Sequence, residues 1–112
     1  MFAIDGKNME LTRGDSFSFA MAFTGRTLPA AAQALFTVKK RVRDELPVIE
    51  KTVAVTDNRA VVHLLPEDTA QLPVGAYFWD MRLLIPGQAG VEVRTPMEYA
   101  VFQLLEVIGD AG

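Results

Sequence analysis

Cysteine is absent from the 112 residues, and histidine and tryptophan each occur once. The absence of thiols excludes disulfides, thiolate nucleophiles and cysteine-built zinc or iron–sulfur centres, and it fits a reducing compartment. With His63 as the sole imidazole, a histidine-based nucleophile or metal site would need carboxylates from elsewhere in the chain. Ser16 follows Asp15 but lies in no Gly-x-Ser-x-Gly elbow, so a serine hydrolase is not expected. No apolar run approaches the ~18 residues of a membrane-spanning helix. Residues 1–8 show neither the basic lead nor the apolar stretch of a secretory signal. Positive charge is also scarce. Eleven basic and fourteen acidic side chains give a formal charge of -3, and they are interspersed. That mixture sets up no broad positive field for phosphates, so nucleic acid is not expected as a partner. A glycine-rich phosphate loop is missing too, since Gly87 and Gly90 fall in a hairpin signal. Neither a cofactor, a metal nor catalysis is expected.

What remains is half hydrophobic and 22% charged, enough apolar matter for one core in a single domain over residues 1–108, with 109–112 as a flexible tail. Its dominant pattern has period two. In residues 16–23 large apolar residues Phe17, Phe19, Met21 and Phe23 alternate with Ser18, Ala20 and Ala22, as in a half-buried strand. A short strand over 9–12 precedes it, joined by an Arg13-Gly14-Asp15 turn. Residues 34–42 read as a strand with Phe36, Val38, Lys40 and Val42 inward. Residues 48–55 follow as a strand with Ile49, Val53 and Val55 on one side, and then the 56–59 turn and the 60–65 strand. Pro66 opens a helical turn near residues 66–72. Residues 76–85 carry the strongest stripe, Tyr77, Trp79, Met81, Leu83 and Ile85, with Phe78, Asp80 and Arg82 opposite; 91–94 and 98–108, including Phe102, complete the strands.

Seven or eight short strands with turn signals about every ten residues indicate a β-sandwich or small barrel, and of the two an all-β antiparallel sandwich is the expected fold. The run from Asp68 to Trp79, with Tyr77 after a turn and Trp79 two positions on, resembles the entry to a central strand of immunoglobulin-like folds, Trp79 standing where antibody domains have cysteine. The expected core includes Phe17, Phe19, Phe36, Val38, Tyr77, Trp79, Met81 and Phe102.

Candidate sites each have an ordinary structural explanation. His63 lies in a strand pattern, and Glu67 and Asp68 sit where carboxylates cap a helical turn. The Asp44-Glu45 and Glu67-Asp68 pairs lack the Gly-containing loop of an EF-hand. Arg13-Gly14-Asp15 spells a tripeptide that some integrins bind, but a turn before a strand accounts for it. Lys39, Lys40, Arg41 and Arg43 are divided between two strand faces, a guard against edge pairing. Phe78 faces away from Trp79 and so covers a second sheet, a neighbouring subunit or nothing.

The order Leu11-Thr12-Arg13-Gly14-Asp15-Ser16-Phe17, Ala34 to Lys39, Pro66-Glu67-Asp68-Thr69-Ala70, Gly75-Ala76-Tyr77-Phe78-Trp79-Asp80 and Thr95-Pro96 resembles prophage proteins of Gram-positive bacteria. More closely, it resembles the small immunoglobulin-like N-terminal domain of phage baseplate upper proteins. The resemblance covers residues 9–108 and implies a structural role in a phage tail or baseplate, from the host cytoplasm into the virion. The implied partners are other tail proteins or a second copy, with no membrane involved. The receptor-binding or trimerising region that usually follows is absent from this sequence. The contacts expected under that role are Arg13, Gly14, Asp15, Gly25, Arg26 and Phe78, within the 13–15 turn, the 24–33 loop and the 76–85 strand. A carbohydrate-binding sandwich, with Tyr77, Trp79 and Tyr99 as an exposed row, is the alternative.

Overall fold

Alternating apolar residues bury one face of a strand and leave the other in water, and strands account for most of the described residues. The structure, a computed structural model, describes residues 2–5, 8–23, 27–87, 90–94 and 99–106. The strands are β1 (Phe2–Asp5), β2 (Asn8–Thr12), β3 (Phe17–Ala22), β4 (Gln33–Lys39), β5 (Ile49–Thr56), β6 (Arg59–Leu64), β7 (Gly75–Gly87), β8 (Gly90–Arg94) and β9 (Ala100–Leu105). One short helix, α1 (Pro66–Thr69), lies between β6 and β7.

Eight strands follow a hydrogen-bonded path β1-β2-β9-β7-β4-β5-β6-β3, and β8 pairs with the far end of β7. The path folds over at β5. Its first part pairs with β4, from Ile49 opposite Val38 to Ala54 opposite Gln33, and its last residues Val55 and Thr56 pair with β6. The β3–β6 layer therefore lies over the β4–β7 layer. The ring of Phe19 on β3 meets those of Phe36 on β4 and Trp79 on β7, with centroids 5.4 and 5.9 Å apart. The all-β sandwich-like architecture read from the sequence is thus the one observed, with the helical turn where Pro66 placed it.

The core residues inferred from alternation lie where expected. Phe36, Val38 and Met81 are fully buried, Phe19, Tyr77, Trp79 and Phe102 are buried, and Phe17 packs against them partly covered. The Tyr77 hydroxyl donates to the Pro73 carbonyl at 2.5 Å, tying the start of β7 to the turn before it.

Three details depart from the sequence reading. The sheet is not wholly antiparallel, because β2 runs parallel to β9; the two come from opposite ends of the chain, so ample chain is available for the crossover a parallel pair needs. An additional strand, β1, pairs antiparallel with β2. The strand beginning at Gln33 stops at Lys39, leaving Lys40 and Val42 exposed rather than inward. Here the chain turns through 41–44, where Asp44 accepts the Arg41 N–H on its carboxylate and donates its own N–H to the Arg41 carbonyl. The ladder resumes when the Val48 N–H reaches the Val38 carbonyl. The expected tail at 109–112 lies outside the described residues.

Candidate interaction face

The outward residues of β4 and β7 are set by register. Leu35 stands opposite Arg82, Thr37 opposite Asp80, and Lys39 opposite Phe78. On its other side Phe78 faces Val101 of β9. Glu50 of β5 extends the row beyond Thr37. The 42–47 segment rises along one margin, and together these residues line a groove of about 260 Å³.

Its apolar floor is an aromatic pair. Phe78, half-buried, meets Tyr99 at 5.6 Å with the rings nearly perpendicular, and Tyr99 remains 57% exposed. A register shift brings Tyr99 to this position. Arg94 on β8 stands opposite Leu83, but Ala100 on β9 stands opposite Trp79, so four positions along β7 correspond to six along the closing segment. Lys39, Glu50, Asp80 and Arg82 surround the pair, and none of them makes an ion pair among the described residues. Unpaired charges of both signs around an aromatic floor give a surface able to recognise a partner by shape and by charge.

The Arg13-Gly14-Asp15 turn, one of the expected contacts, is held in place by side chains and backbone from distant segments. Gly14, at φ +86° in a conformation suited to glycine, donates its N–H to Thr69 Oγ1 at 2.9 Å, and Thr69 is fully buried. Arg13 grips Glu106 at 2.9 Å and reaches the Leu72 carbonyl at 3.4 Å. The turn joins the start of β3, the helical turn and the end of β9. Asp15 stays exposed beside it. Gly25 and Arg26, the other expected contacts, lie outside the described residues.

Asp68 acts as a cap: its Oδ2 accepts the Leu65 N–H at 2.8 Å and meets Lys51 Nζ at 2.9 Å. His63 is exposed on β6, and its Nδ1 lies 2.5 Å from Ser18 Oγ because the β3–β6 register sets the two residues opposite each other. Sequence reasoning missed this pair, since it depends on strand register. No cluster of three or more potential metal ligands forms among the described residues, and no described helix is long and apolar enough to cross a membrane. Of the aromatic row expected for a sugar site, Tyr77 and Trp79 are buried and Tyr99 alone is exposed. No protein-family model, curated protein or solved structure matches this chain.

Proposed function

We propose that this chain is a non-catalytic assembly protein of a phage or prophage tail or baseplate, and that it docks another tail protein through the outer face of β4, β7 and β9. The observation that carries the docking role is the Phe78–Tyr99 pair in a groove also lined by Lys39, Glu50, Asp80 and Arg82, none of which makes an ion pair among the described residues. Aromatic residues with arginine are enriched at protein interfaces and among their hot spots, and a rim of charges of both signs selects register more than it adds affinity. The tail assignment rests on the sequence resemblance over residues 9–108. Burial of Tyr77 and Trp79 favours a protein ligand over a glycan, because it leaves the face without an aromatic row.

The test is the composition of tail particles purified from a host expressing the chain with a tag. The wild-type chain is expected in the particles, and Phe78→Lys is expected to stay folded but drop out of them. Tails that assemble normally and never contain the chain would overturn the reading. Binding on a glycan array that Tyr99→Ala abolishes would move it to the carbohydrate alternative.

A further inference from the structure

β3 ends the hydrogen-bonded path, pairing with β6 on one side and with no strand on the other among the described residues. Sheets normally blunt such an edge with charge, proline or a bulge. Residues 16–23, Ser-Phe-Ser-Phe-Ala-Met-Ala-Phe, contain neither charge nor proline. The edge also leaves the core incompletely covered. Phe19 and Phe23 are the most exposed of the buried apolar residues at 8% each, and Phe17 and Met21 are only partly buried.

Backbone geometry fixes which groups are available. The Phe23 N–H donates to the Asn58 carbonyl at 2.8 Å, on the β6 side of the strand. Backbone polar groups alternate sides along a strand, so those of Ser18, Ala20 and Ala22 point toward the open edge. Their side chains stand on the exposed face. The sequence is also nearly palindromic about Ala20: Phe17 mirrors Phe23, the small Ser18 mirrors Ala22, and the large apolar Phe19 mirrors Met21.

We propose that β3 is a self-pairing edge, joining antiparallel to β3 of a second copy about a two-fold axis through Ala20. In that register Ala20 exchanges both backbone hydrogen bonds with Ala20 of the partner subunit. Ser18 and Ala22 exchange theirs crosswise with Ala22 of the partner subunit and Ser18 of the partner subunit. On the core side Phe17 meets Phe23 of the partner subunit and Phe19 meets Met21 of the partner subunit, which continues the apolar layer across the junction. No charged group enters the pairing from either strand. A slip of two residues toward the N-terminus would set Asp15 against Phe23 of the partner subunit, which disfavours that register. The contact is isologous and closes on itself, so it yields a dimer with no free β3 edge rather than a fibre. It uses none of the Phe78 groove, so it stands or falls apart from the docking role.

The experiment is sedimentation equilibrium on the full chain across a range of concentrations. Wild type is expected to form a concentration-dependent dimer. Ala20 is exposed in the single chain, so Ala20→Lys and Ala20→Glu should fold, yet each sets like charges face to face at the axis and should weaken dimerisation about five- to tenfold. An equimolar mixture of the two variants should dimerise at least as well as wild type. A wild-type chain that stays monomeric up to about 1 mM overturns the proposal. So does an Ala20→Lys variant that dimerises like wild type, or a mixture that shows no recovery. If the charged variants fail to fold, Ala20→Cys decides: in this cysteine-free chain, oxidised glutathione should give a disulfide-linked dimer, and a chain that stays monomeric overturns the proposal.

Discussion

The two faces of one strand differ sharply in this molecule. Along β7, Tyr77, Trp79, Met81, Leu83 and Ile85 are buried in one continuous core, while Phe78, Asp80, Arg82 and Leu84 point the other way and stay partly or well exposed. The inner residues touch neighbours contributed by several strands. Trp79 packs on Phe36 at 5.6 Å and on Phe19 at 5.9 Å, which ties the two layers together. The outer charged residues find no ion-pair partner among the described residues. If the outer face docks a partner as proposed, a single alternation separates stability from recognition, and a substitution on one face should leave the other's property nearly intact.

The sharpest break of that separation is Trp79→Ala. It deletes the ring that both layers close on, and truncating a buried aromatic costs about 3–5 kcal/mol through lost transfer energy and the cavity left behind. In a domain whose total stability is on the order of 5–15 kcal/mol, much of the folded population is at risk. Urea unfolding followed by fluorescence of the remaining tyrosines or by circular dichroism should show the midpoint collapse. A loss below about 1 kcal/mol would mean that the layers do not depend on this ring.

A smaller effect on the same face comes from Tyr77→Phe, which keeps the ring and removes only the hydroxyl bonded to Pro73. The expected cost is about 1 kcal/mol at neutral pH, from the lost hydrogen bond. Burial raises the Tyr77 pKa above its ordinary value of 10.0. Below about pH 10 the phenol keeps its proton in both folded and unfolded chains, so this ionisation does not penalise folding. Above it the unfolded chain ionises first and binds fewer protons than the folded one. Stability therefore falls with rising pH until the folded phenol also ionises. The wild type should lose stability faster than Tyr77→Phe above pH 10; parallel slopes would contradict that assignment.

How far these features could be read in advance depends on their range along the chain. The inner stripe of β7 and the Phe17–Phe19 and Phe36–Val38 alternations were legible because period two is a local signal, and they fixed the layer each strand buries. Tyr77 was legible because it follows a turn and precedes Trp79 by two positions. β1 was not, since Phe2–Asp5 is too short to show its period; only its register opposite β2 reveals it. The end of β4 was misread because Lys40 and Val42 continue the alternation although the Asp44 turn has already taken the backbone away. The Phe78–Tyr99 pair and the Ser18–His63 pair depend on register between distant segments. Phe78 could be assigned outward from sequence, but its neighbour could not. The 13–15 turn was recognised as a turn, while the buried Thr69 that holds it lies 55 residues away.

The smallest expected effect on stability sits on the outer face and tests the separation from the other side. Arg82 is exposed and stands opposite Leu35 in the ladder, with its guanidinium in no ion pair among the described residues. Arg82→Gln keeps a polar side chain with an apolar stem to lie over Leu35 and removes only the charge. No buried partner loses its bond, so the urea midpoint should correspond to a change within about 0.5 kcal/mol. Under the proposed docking role, incorporation into tail particles should nevertheless fall, because a rim charge steers and registers a partner without supporting the fold. A stability loss above about 1 kcal/mol would mean that Arg82 helps hold the sheet itself, and the two faces of β7 would then share one energetic role.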